Sequence, residues 1–168
     1  MLIRHLLAIA ILPFVVAVLV PVWLARGNII TFAPSDNGAQ LVAQFAGLLA
    51  LAIGLTLFIS SLRRFASDGK GTLAPWDPPE RLVISGPYRY VRNPMISGIV
   101  FVLFGEGLLL LSRPHLTWAL TVLVINAIYI PLLEEPQLRA RFGASYDEYC
   151  KHVHRLLPRL RPYQGELT

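Results

Sequence analysis

Two short stretches carry the residue types that can do chemistry. The first, GPYRYVRNPM at residues 86–95, sets Tyr88, Arg89, Arg92, Asn93 and Pro94 directly before a long apolar run. The second is the acid pair Glu134 and Glu135, followed by Pro136, at the far end of a later apolar run. Arginine pairs with a carboxylate through two parallel hydrogen bonds. Glutamate accepts from an amine or from ribose hydroxyls, and tyrosine or tryptophan can flank a positively charged sulfonium. Together these groups suit a zwitterionic small molecule without identifying it. A juxtamembrane anchor would need the cations, but not the glycine, the two prolines or the tyrosine spacing. The plainer reading, a helix end with a few interfacial ion pairs, stands beside the functional one. Successive helical residues point about 100° apart. Glu134 and Glu135 therefore serve one small contact only where the helix ends or bends, as Pro136 favours.

The elements that must position these residues are strongly apolar. The chain has 168 residues, of which 55% are hydrophobic and 15% charged, with a mean hydropathy of +0.57. A soluble domain carries about 25% charge. Four runs, at residues 6–24, 41–59, 94–111 and 116–133, hold a single ionisable acid, Glu106. Each is long enough to cross most of a ~30 Å hydrocarbon layer. The expected fold is an all-α polytopic membrane protein with four predicted transmembrane helices and a C-terminal amphipathic helix. The first run follows Arg4, but its apolar stretch exceeds the ordinary core of a signal peptide, so it reads as a retained span.

Residues 1–168 then form a single membrane domain. Residues 1–60 are the first helix pair, 61–93 a cytoplasmic loop, 94–133 the second helix pair, and 134–168 a cytoplasmic C-terminal helix and tail. Of the 15 Lys and Arg, all but Arg26 and Arg113 fall in residues 1–5, 60–93 and 134–168. Cations favour the cytoplasmic side. Both termini are expected there, in a prokaryotic inner membrane, and the net charge of +5 can attract anionic membrane lipids.

Smaller features fill in the frame. Gly47 and Gly54 lie on nearly one helical face, and small residues let helices approach closely in lipid. The loop sequence SLRRFASDGKGTLAPWDPPERLVISGPYRYVRN has Arg63 and Arg64 where a span would end, then turn-rich DGKG and PWDPP. A loop this long and locally stiff reads as a binding segment. Leu138, Phe142, Tyr146, Tyr149 and Val153 make an apolar-aromatic stripe, expected to lie along or under the membrane bundle, with close packing or a bend at Gly143. Glu106 sits ~18 Å along a helix from Pro94 and reads as structural, as does Asn126, a candidate for a hydrogen bond between helices. Cys150 is the single cysteine and can form no intrachain disulfide. His5, His115, His152 and His154 are scattered, so no metal is expected. The chain has no GxGxxG or Walker sequence, and no nucleic-acid module.

The order GPYRYVRNPM, then LLEEPQLRARFGASYDEY, then PRLRP resembles the isoprenylcysteine carboxyl methyltransferase and phospholipid N-methyltransferase family of integral membrane methyltransferases. The resemblance covers roughly residues 70–163. It implies S-adenosyl-L-methionine bound by this C-terminal half at the cytosolic face. It places Tyr88, Arg92, Asn93, Pro94, Glu134, Glu135, Tyr146 and Tyr149 at the cofactor, and Arg89, Arg92, Glu134 and Glu135 at the reaction. The family's histidine is Asn93 here, and the tyrosine two residues after Pro94 is Ile96. Asn93 keeps hydrogen-bonding capacity but cannot titrate near neutral pH. The implied reaction is methyl transfer to a carboxylate or amine of a lipidic or prenylated substrate. A nonenzymatic membrane assembly protein, a membrane reductase of related architecture and a transporter remain alternatives.

Overall fold

The computed structural model describes residues 10–26, 37–68, 81–156 and 158–164. The tail at residues 1–5, the start of the first apolar run, residues 69–71 of DGKG and the PWDPP turn lie outside them. The described elements are all helical. Ala10–Leu19 is wound in wide π turns and leads into α1, Val20–Ala25. Then come α2 (Gly38–Asp68), a 3-10 turn at Gly86–Arg89, α3 (Pro94–Leu109) and α4 (Arg113–Tyr129). A π turn at Ile130–Glu134 joins α4 to α5 (Glu135–Phe142), and α6 (Ala144–His152) follows.

The number of spans differs from the four expected. Among the described residues, two helices are long and apolar enough to cross a membrane, Gly38–Asp68 and the continuous stretch Arg113–Phe142. The described parts of the other two runs give shorter helices, Pro13–Ala25 and Pro94–Leu109. The reason in α3 is local. Leu111 takes φ +49, and the Ser112 N–H bonds back to the Gly107 carbonyl at 2.9 Å. The helix therefore stops after 16 residues, about 24 Å at the α-helical rise, short of a ~30 Å hydrocarbon core. Hydropathy registers leucine as membrane-compatible and is blind to a leucine in a left-handed turn. The two long helices are mostly uncovered by the rest of the protein. Phe45, Val42 and Leu132 stand open to the surroundings, as lipid-facing side chains must.

The chain divides into two compact units. The first comprises Met1–Thr56 and Gly98–Val124. Asn37 caps α2 here, its Oδ1 accepting the Ala39 N–H at 2.9 Å, which satisfies a backbone donor that the first turn leaves free. Gly47 and Gly54 are needed for close helix approach, as their spacing indicated. A Cβ on Gly54 would sit 2.7 Å from the Gly98 carbonyl, and one on Gly47 would sit 2.8 Å from that of Gly105. Leu103, Ala119 and Val122 form the buried core, with Val16, Phe104 and Trp118 packed against it. The Trp118 indole donates to the Val16 carbonyl at 3.0 Å.

The second unit comprises Leu57–Ser97 and Ile125–Thr168. Its core is the aromatic stripe. Tyr146, Tyr149 and Val153 are buried, and Leu82, Ile84, Leu138, Phe142 and Tyr163 pack on them. The stripe thus closes on the protein's own loop segments. Gly143 divides α5 from α6 with φ +53 and ψ −132, a backbone conformation open to glycine and strained for other residues.

Candidate active site

Every residue singled out for chemistry lies in the second unit. Pro94 opens α3, where its missing N–H costs nothing because first-turn donors have no helical partner. The segment before it is held by the chain that follows α6. The Arg92 N–H donates to the His154 carbonyl at 2.9 Å and the Asn93 N–H to the Arg155 carbonyl at 3.3 Å. Further along, the N–H groups of Arg159 and Tyr163 donate to the carbonyls of Tyr90 and Arg89, each at 2.9 Å. The Tyr149 hydroxyl donates to the Tyr88 carbonyl at 2.6 Å. An otherwise irregular loop is thereby fixed in the absence of a strand or helix.

This scaffold brings Arg92 to Glu135, with Nη1 3.1 Å from Oε1. Glu135 is buried at 3% exposure and also takes a two-pronged contact from Arg155, Nε to Oε1 at 2.7 Å and Nη2 to Oε2 at 3.0 Å. Both carboxylate oxygens are therefore committed to guanidinium groups, the arrangement that compensates the desolvation of a buried charge. Arg92 Nη1 also donates to the Cys150 sulfur at 2.6 Å.

Glu134 behaves differently. It is half-buried and has no ion-pair partner among the described residues. Helical winding continues through it and Glu135, so the two carboxylates diverge as the 100° rotation dictates. Pro136 does not end the helix: it falls in the first turn of α5, where proline is tolerated. Two further polar atoms here are buried without a partner among the described residues, the Tyr88 hydroxyl and Arg92 Nε. Arg89 is exposed. Tyr146 and Tyr149 lie in the core, each 2% exposed, where burial pushes both phenols above their ordinary range. Burial also raises the Tyr88 phenol, with the charges near Tyr149 and Glu134 adding to it.

Arg155 and Cys150 are the parts of this cluster that sequence reasoning did not single out as site residues. Arg155 lies past the end of α6, where no periodicity marks it. The PRLRP segment beside it was the one available signal.

A family model described as phospholipid methyltransferase matches residues 42–145. The chain belongs to the phospholipid methyltransferase family. It is an integral membrane methyltransferase that uses S-adenosylmethionine and acts on a lipid-like substrate. The match spans Arg92, Asn93, Pro94, Glu134 and Glu135 and ends before Tyr146. It supports the phospholipid side of the resemblance and does not single out the isoprenylcysteine carboxyl methyltransferases. Comparison with curated proteins and with solved structures gave no match.

Proposed function

We propose that this family member methylates the amine of a lipid headgroup at the cytoplasmic membrane face, with the cofactor held beside Arg92 and Glu134. The observation that carries the reading is the contrast between neighbouring acids: Glu135 is saturated by Arg92 and Arg155, whereas Glu134 has no ion-pair partner among the described residues. When bound, S-adenosylmethionine supplies an electrophilic methyl on a sulfonium. The residues present fit its zwitterionic end. Arg92 Nε is a buried donor in need of an acceptor such as a carboxylate. Glu134 can accept from an amine or ribose hydroxyls, and the Tyr88 hydroxyl offers a further polar contact. Asn93 and Pro94 lie where the cofactor would approach, the Tyr149 hydroxyl holds the Tyr88 carbonyl of the same segment, and Tyr146 packs beside Tyr149 in the core.

Glu135 is then a positioning residue that holds the Arg92 guanidinium in one orientation. An ammonium headgroup must lose a proton before its nitrogen can attack. Glu134 is the acid placed to receive it, and general-base assistance of this kind contributes about a hundredfold or more in rate. Arg89, exposed and cationic, is suited to hold the anionic part of the headgroup. Because a carboxylate acceptor needs alignment but no deprotonation, Arg89 also supports a second reading, methylation of a carboxylate on a lipidic or prenylated substrate. The distribution of Lys and Arg supports a cytoplasmic orientation for this face.

The test is transfer of labelled methyl by the full chain in nanodiscs carrying either an amine-headgroup phospholipid or a prenylcysteine carboxylate. Label is expected in the amine lipid, with transfer reduced about a hundredfold by Glu134→Gln. Label confined to the carboxylate would favour the second reading. A folded protein that transfers to neither and binds no cofactor would move the nonenzymatic or reductase readings ahead.

A further inference from the structure

Beyond the methyl-transfer site, the segment after α6 forms a second cationic feature. A depression of about 420 Å³ is lined by His152, Arg159, Arg161, Pro162, Tyr163 and Gln164. Neither Arg92 nor Glu135 lines it. Its walls are fixed at both ends: the backbone bonds from Arg159 to Tyr90 and from Tyr163 to Arg89 pin the segment, and Pro162 limits its freedom. The His152 ring stacks on Tyr163 with centroids 5.2 Å apart and planes 19° from parallel. His152 is engaged by the Glu148 carboxylate at 2.8 Å, which leaves the two guanidinium groups as the cations of the depression.

Among the described residues those cations have no ion-pair partner. Arg159 Nη1 is buried and has no hydrogen-bond partner among the described residues, and a buried donor of this kind calls for an acceptor. Arg161 is exposed and has no acid partner among the described residues. Between them Leu160 projects fully into the surroundings at 101% exposure. An uncovered leucine flanked by two arginines has the chemistry of a membrane interface, with an apolar side chain to sit among acyl chains and cations to meet headgroups.

We propose that this depression binds the phosphate of an anionic lipid headgroup, with Arg159 and Arg161 as its donors and Leu160 inserted beside the acyl chains. The site is separate in its residues from the proposed cofactor cluster, so its test does not depend on methyl transfer.

The experiment uses the full chain in a neutral detergent. Retained lipid is counted by native mass spectrometry after exposure to phosphatidylglycerol, to phosphatidylcholine, or to inorganic phosphate followed by phosphatidylglycerol. Wild type is expected to retain phosphatidylglycerol severalfold better than phosphatidylcholine. Arg161→Gln, an exposed change that leaves the fold intact, should reduce that preference about fivefold, and Arg159→Gln/Arg161→Gln should abolish it. Leu160→Ser should weaken retention of the whole lipid while leaving the headgroup preference. Equal retention of the two lipids, or a preference unchanged in the double variant, would overturn the proposal. Loss of phosphatidylglycerol retention after prior exposure to millimolar inorganic phosphate would show a free-phosphate site and overturn the lipid assignment.

Discussion

Arg92 reaches Glu135 at 3.1 Å and the sulfur of Cys150 at 2.6 Å through the same nitrogen, Nη1. That one atom ties the loop before α3 to α5 and to α6. Its partner acid is shared with Arg155, which approaches from the chain after α6. The loop, α5 and the tail thus converge on a single buried carboxylate, with α6 joined to them through Arg92, and the electrostatics of the site cannot be changed without loosening its scaffold.

Replacing the carboxylate should therefore cost more than replacing either cation. Glu135→Gln leaves the Arg92 guanidinium, 11% exposed, without its counter-charge, and a loss of about 3 kcal/mol is expected. Arg155 is 36% exposed, so solvent screens its contribution, and Arg155→Gln should cost about 1 kcal/mol. Denaturant unfolding in detergent would check the order. Equal losses would mean that Glu135 is not the centre of the network.

The buried phenols set an alkaline limit. Tyr88, Tyr146 and Tyr149 all have pKa values raised by burial. Below about pH 10, the ordinary phenol value, each is protonated in folded and unfolded chains alike, so the stability they contribute is fully present. Above it the unfolded chain releases these protons while the folded chain retains them, and stability falls as pH rises. Tyrosinate absorbance from these three should appear together with unfolding. Tyr88→Phe should remove one proton from that transition. It should also be neutral or slightly stabilising at pH 7, because the hydroxyl it deletes is buried without a partner among the described residues.

Two glycines should fail for different reasons. Gly54→Val drives a side chain into the Gly98 carbonyl and the Val102 N–H, an overpacking cost of about 2 kcal/mol or more. A Cβ at Gly143 meets nothing within 4 Å. Gly143→Ala should therefore cost only its backbone strain, on the order of 1–3 kcal/mol. Thermal unfolding of the two variants alongside Gly38→Ala, which has open space and no positive φ, separates the effects.

Much of this was legible in the residues. Helical character followed from the long apolar runs, and the tight glycine contacts from the spacing of Gly47 and Gly54. The stripe ending at Val153 revealed a buried face, though hydropathy could not say whether lipid or protein would cover it. The span count was not legible, because the break after α3 depends on the backbone angle of Leu111, which no sequence pattern marks. The continuation through Pro136 was hidden for a related reason: the first turn of α5 absorbs a proline that would otherwise stop a helix. Arg155 was hidden because its contact with Glu135 depends on how an irregular tail folds back, which neither period 2 nor period 3.6 encodes.

The measurement that bears most directly on the cofactor cluster is calorimetric titration of the nanodisc-held protein with S-adenosylmethionine, repeated on Glu134→Ala. Wild-type binding that is lost in a variant of unchanged circular dichroism is the expected result. Binding of equal affinity in the variant, or none in a folded wild type supplied with membrane lipid, would contradict the placement of the cofactor beside Arg92 and Glu134.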